Sequence, residues 1–393
     1  MTMDVVGHVL SCEYLLENIF NLLPAVSLNC CCQVSKFWCF VAVRVKEHNG
    51  TKWPVHVFSS YDRGCRRYLL EKQKEEFCLA NWKRRLGRGI YQSPIEPAFI
   101  VVFVFGFDSE HSFIKNIVKQ IIPSACDWVV IPVPMVICRP AGSETYYQID
   151  AFGSSRDYGG EGIRSYRAAV SVLMVARWSL LLNLQSCLLT SVIDTDKPAH
   201  HDVFANASLA FVFLPTDNGP WWRGMAHGKR YKPIKKDVLS IGLYISEVAS
   251  NTTKFKHRGL CLAFHGSNFL KVACFNSNHH LPQIRRSSDV RHVEANPNRY
   301  QLTMDKILLW RKENVDSKCW KPFLILVGMC ASRAARPFYE QHHVESRILA
   351  EAFPGIPVFG AMSNGGEFFN NHGRTFEDNA QFYSTVFAVL CTS

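Results

Sequence analysis

The first fifty residues carry apolar positions at helical spacing. Leu15, Leu16, Ile19, Phe20, Leu22 and Leu23 form one set, and Pro24 starts a new turn. Leu28, Cys31, Val34, Trp38 and Val41 then recur at steps of three, three, four and three, which predicts a second helical stretch broken near Gln33. Helices are therefore expected over 12–48. A polar, basic segment containing "EKQKEE" and "KRRLGRG" follows to about Pro97 and reads as helix plus linker. At Phe99 the texture changes. "FIVVFVFGF" (99–107) is an unbroken apolar run, the pattern of a strand buried on both faces. Ile114, Ile117, Val118 and Ile121 mark an amphipathic helix, and "WVVIPVPMVI" (128–137) a second strand whose prolines suggest an irregular or edge position. The far end repeats this grammar. "PFLILVGMC" (322–330) reads as a strand, Val344, Ile348, Ala352 and Phe353 as a helix, and "IPVFGAM" (356–362) as a strand. Both helices stop at a proline turn, Ile122-Pro123 and Phe353-Pro354, so the pattern predicts a duplicated α/β body. "LAFVFLP" (209–215) is a further strand, 259–275 reads as a hairpin turning near His265-Gly266, and 382–391 as a closing strand.

Composition adds limits. The chain has 393 residues, a formal net charge of +11, 48% hydrophobic and 20% charged residues, which fits a folded protein of two or three domains. The cations are dispersed as Lys83-Arg84-Arg85 with Arg88, Lys232 with Lys235-Lys236, and Arg285-Arg286, without interleaved aromatics. That favours solvated surface over a nucleic-acid partner. Residues 168–193 approach the length of a membrane span, but Arg177 lies inside them, which points to two buried strands. No cationic and apolar leader pattern opens the chain, and its 15 cysteines form no framework. A cytoplasmic or nuclear location is the expectation, with Asn49, Asn206 and Asn251 unused as glycosylation triplets.

Catalytic and metal motifs are sparse. Cys30, Cys31 and Cys32 are adjacent on a helix, so they diverge and cannot chelate one ion; Cys31 reads as a small core residue. C-x-x-C and HExxH do not occur, and neither metal nor cofactor is expected. "GPWWRGMAHGKRY" (219–231) lacks P-loop spacing, "YGGEG" (158–162) reads as a turn, and no GxSxG elbow is found. Cys330 with His342-His343 leaves a cysteine–histidine pair open. After the strand at 356–362, Gly360, Asn364, Gly365, Gly366 and Glu367 form a glycine loop that reads either as a ligand or target site, or as a tight turn.

"LLENIFNLLPAVSLNCCCQVSKFWCFVA" resembles an F-box, a three-helix motif of about forty residues. Leu16, Ile19, Phe20, Leu23, Leu28, Cys31, Val34, Ser35 and Trp38 match its pattern. Ser11-Cys12 replaces the Leu-Pro that usually opens it, and cysteines replace larger aliphatics. The resemblance implies docking on the adaptor Skp1 through Leu16, Ile19, Phe20, Leu23, Pro24, Leu28, Cys31, Val34 and Trp38. The remainder is similar to the FIST domain, through Pro357, Gly360, Gly366 and Glu367 and through "RGLCLAFHGSNFLKVACF"; little matches between 138 and 255. Proteins with both domains serve as substrate receptors of SCF ubiquitin ligases, with cullin as scaffold. The resemblance thus implies a non-catalytic subunit that presents targets for proteasomal degradation. The alternative it implies is a module sensing an amino-acid-like ligand, with a vestigial F-box. The expected architecture is mixed α+β: an F-box over 10–50, a helical linker over 51–97, and a FIST-like α/β region over 98–393 in halves of 98–200 and 201–393.

Overall fold

The structure is a computed structural model that describes residues 7, 10–62, 71–105, 111–143, 147–150, 168–189, 207–215, 238–245, 248–250, 254–255, 259–277, 299–330, 344–363, 367–370, 380–381 and 385–393. After helical backbone at Gly7, Leu10 and Ser11, the described residues include three helices, α1 (Glu13–Phe20), α2 (Ala25–Cys31) and α3 (Lys36–Lys52). Extended backbone at Pro24 sets the start of α2, and the chain turns again through Cys32–Val34, where the broken periodicity placed the interruption. Ser35 begins α3, its hydroxyl accepting from the Trp38 backbone N–H at 3.1 Å. Leu16, Phe20, Leu28, Val41, Ala42 and Val45 form the core of this unit. The Phe20 and Trp38 rings meet edge to face at 5.4 Å. Arg44 of α3 pairs with Glu13 and Glu17 of α1.

The rest is a sheet body, and the protein as a whole is α+β with its helical unit first. The body continues with β1 (Val55–Asp62), α4 (Glu71–Tyr91), β2 (Pro97–Phe105), α5 (His111–Ile121), β3 (Asp127–Pro132), β4 (Met135–Arg139), β5 (Tyr147–Asp150) and β6 (Ala168–Ala176). Next come β7 (Leu182–Leu189), β8 (Ala207–Pro215), β9 (Ser240–Ile245), β10 (Val248–Ser250), β11 (Lys254–Phe255) and β12 (Gly259–Gly266). The chain ends with β13 (Leu270–Asn276), α6 (Arg299–Asn314), β14 (Lys321–Cys330), α7 (Val344–Ala352), β15 (Val358–Ser363), β16 (Glu367–Asn370), β17 (Ala380–Gln381) and β18 (Thr385–Thr392).

These strands make three six-stranded sheets, ordered β1-β6-β2-β3-β10-β11, β7-β12-β8-β9-β16-β17 and β13-β18-β14-β15-β4-β5. One rule generates all three. Each consecutive set of six contributes its first, sixth, second and third strands to its own sheet and lends its fourth and fifth to another set's. The parallel pair is always second with third. Each sheet also carries a register slip at the same place, skipping Ala98, Ser208 and Phe323. Among the described residues the predicted two-fold repeat is thus seen as a strand order that recurs three times, with sets that begin at β1, β7 and β13.

The three inner faces share one apolar core. Phe103 stacks on Phe359 at 4.4 Å and meets Phe211 and Phe213 edge-on, so the three sets touch at the centre through aromatic rings. Outside, Trp82, Leu86 and Ile90 of α4 and Ile117, Val118 and Ile121 of α5 cover the first sheet. Met304, Ile307 and Trp310 of α6 and Ile348 and Leu349 of α7 cover the third. Arg139, on the lent strand β4, donates to the Ala350 and Phe353 carbonyls at 2.8 and 3.1 Å, capping the C-terminal end of α7 and fastening the loan.

Several expectations change. β1 lies in the stretch read as linker. The run at 128–137 is two strands in different sheets, because Val133-Pro134 interrupts the ladder between β3 and β4. The segment 259–275 is not a hairpin: β12 pairs with β7 and β8, whereas β13 pairs with β18, and the turn between them carries the chain from one sheet to the next. Residues 168–193 do contain two strands, β6 and β7, and Arg177 stands in the turn that follows β6. Among the described residues, no helix is long and apolar enough to cross a membrane.

Candidate functional site

A short helix that packs one stripe of its surface leaves the remainder to solvent, and α1 carries more apolar residues than one stripe needs. Its doublets Leu15-Leu16 and Ile19-Phe20 place neighbours about 100° apart around the axis. Leu16 and Phe20 turn inward and are buried, while Leu15 and Ile19 turn outward. Leu22 follows in the turn after α1 and is 85% exposed, and Tyr14 is 72% exposed. Val26 on α2, Val34 between the helices and Phe40 on α3 are exposed as well. Isolated exposed apolar residues are ordinary, but this many on one small unit make it the candidate site.

The nine residues singled out for adaptor docking therefore divide. Leu16, Phe20 and Leu28 are fully interior. Leu23, Pro24, Cys31 and Trp38 are half-buried, and Trp38 Nε1 donates to the Leu10 carbonyl at 3.2 Å. Only Ile19 and Val34, 42% and 61% exposed, are open to a partner. Tyr14, Leu15, Leu22, Val26 and Phe40, also exposed and apolar, are not among the nine.

The cysteine run is packing material in part. Cys30 is exposed, while Cys31 and Cys32 are half-buried against the unit's core. Burial, then the neighbouring Cys30, raises the Cys31 thiol above its usual range. Burial also raises Cys32, with the Lys46 ammonium opposing.

The glycine loop is only partly in view. Gly360 lies in the middle of β15, its backbone opposite Val327 and Ile137, rather than in a loop. Asn364, Gly365 and Gly366 lie outside the described residues. Glu367 opens β16, where its backbone pairs with Leu243 and Gln381. Cys330 ends β14 and is buried, whereas His342-His343 and Trp221-Trp222 lie outside the described residues. Lys83, Arg84, Arg85 and Arg88 sit on the exposed side of α4, where Lys83 donates to Gln120 Oε1 at 2.9 Å. Neither a family model nor a curated protein matches the chain.

Proposed function

We propose that this protein is a substrate-recognition subunit of an SCF-type ubiquitin ligase, with the helical unit docking on Skp1 and the sheet body presenting the degradation target. The observation that carries this reading is the exposed apolar face of α1 and its following turn, Leu15, Ile19 and Leu22, set on a unit that already has a complete core of its own. A helical adaptor with an apolar groove would cover that face, at roughly 1.5–3 kcal/mol for each large side chain fully buried. Ubiquitin transfer then belongs to other subunits, joined through cullin.

The division between interior and exposed residues selects the variant that tests docking. Phe20→Ala or Trp38→Ala removes an aromatic that packs within the unit, so loss of binding would not separate docking from unfolding. Ile19→Glu with Leu22→Glu changes only outward-facing positions. Co-purification of Skp1 with the full chain should disappear in the double variant while the thermal transition stays in place. Undiminished co-purification overturns the reading.

A further inference from the structure

Among the described residues, one carboxylate is held by cations from both the helical unit and the sheet body. Glu96 stands just before β2, on the body. From the helical side, Lys46 of α3 reaches it with a side chain only 8% exposed, placing Nζ 3.1 Å from Glu96 Oε2 and 2.9 Å from Asn29 Oδ1 of α2. From the body side, Arg177 Nε stands 3.2 Å from Glu96 Oε1, and its guanidinium also donates to the Ala125 carbonyl at 2.7 Å. The Trp178 indole N–H points to the same carboxylate at 3.5 Å. Backbone contacts run beside it. The Arg177 N–H donates to the Glu96 carbonyl at 2.8 Å, and the Ala25 N–H at the start of α2 donates to the Ser93 carbonyl at 3.0 Å. Gly50 lets α3 come this close, because a Cβ there would lie 3.0 Å from the Trp178 carbonyl carbon.

Cohesion alone does not require this arrangement. Desolvating an ammonium and a carboxylate costs about as much as their attraction returns, and an apolar seam would hold as well. A carboxylate gripped by cations from both sides supplies direction instead. Charge-assisted hydrogen bonds fix distance and angle, so rotation of the helical unit would break them, whereas an apolar seam slides. We infer that Glu96 is a positioning residue that fixes the angle at which the helical unit is carried on the sheet body. Its purpose rests on the ligase reading: a receptor must hold its captured target at a set place relative to the transferring subunit.

The test uses the full chain with spin labels placed through unnatural amino acids at Asn18 and Lys321, both exposed, one on the helical unit and one on the body. Pulsed electron resonance should give a narrow distance distribution in the otherwise native chain. Glu96→Gln and Lys46→Met should each broaden it at temperatures well below unfolding, and Lys46→Arg should keep it narrow. A purely structural ion pair would lower the melting temperature of the first two variants without changing the width. Should Glu96→Gln fail to fold, Lys46→Met against Lys46→Arg decides the matter alone. Equal widths in all folded variants overturn the inference. In a reconstituted ligase, Glu96→Gln should keep Skp1 binding and slow transfer to the captured target roughly tenfold, the kind of loss small misplacements produce; unchanged transfer counts against the positioning role. If the native chain does not bind Skp1, the ligase reading falls, and the distance widths still decide the joint.

Discussion

A Cβ built at Gly360 would lie 2.2 Å from both the carbonyl oxygen and Cγ1 of Val327 on the neighbouring parallel strand. The same collision recurs one set earlier, where a Cβ at Gly242 would lie 2.5 Å from the Val212 carbonyl oxygen. Gly242 and Gly360 occupy equivalent places in β9 and β15, and Val212 and Val327 equivalent places in β8 and β14. Close strand packing thus accounts for glycine at Gly360 without any ligand. Gly360→Ala should cost about 1–3 kcal/mol, the usual penalty for overpacking a filled interior, read as a lower midpoint in denaturant. A variant as stable as the native chain would return Gly360 to the ligand-site reading. Sequence could flag this glycine but not explain it, because a loop glycine and a packing glycine look alike until the opposing strand is known. Cys31 was easier, since its place in a 3-3-4-3 run showed that it behaves as a small apolar residue.

At the scale of the element, what was legible followed from local pattern. The helical unit, β2 with α5 and β3, and β14 with α7 and β15 all announce themselves by periodicity and by a proline turn after each helix. The start of α3 is set by Ser35, whose hydroxyl caps the Trp38 N–H, a feature the apolar pattern alone does not show. Ser35→Ala should remove that cap and cost about 1 kcal/mol, lowering the melting temperature of the helical unit, while Ser35→Asp should hold it. Equal melting of all three forms would mean that packing of Phe20 against Trp38, and not the cap, sets the first turn. What was not legible lacked local pattern. β1 mixes His56, Ser59 and Ser60 into its apolar positions and precedes a charged segment, so it reads as linker, and only pairing with β6 makes it a strand. Likewise, nothing between Gly259 and Asn276 states that the two strands there separate into different sheets, since pairing is decided by partners more than a hundred residues away in the case of β13 and β18.

Lending strands makes the body one cooperative object rather than two halves. β4 and β5, in the first set, complete the sheet built on β14 and β15; β10 and β11 complete the first; β16 and β17 complete the second. A cut near residue 200 would therefore strip β15 of its pairing with β4, strip β12 of its pairing with β7, and leave β3 without β10. It would also divide the central aromatic cluster, with Phe103 on one piece and Phe211, Phe213 and Phe359 on the other. Unpaired strand edges and an opened apolar core are what drive aggregation. Residues 201–393 expressed alone should consequently be insoluble or lack a cooperative thermal transition, and so should residues 1–200. Co-expressed, the two pieces should form a soluble complex, because the lost ladders and the core can re-form between chains. The full chain should melt in a single transition for the body. If the 201–393 piece folds alone with a sharp transition, the loans contribute little, and the boundary suggested by the apparent duplication is a true domain boundary after all.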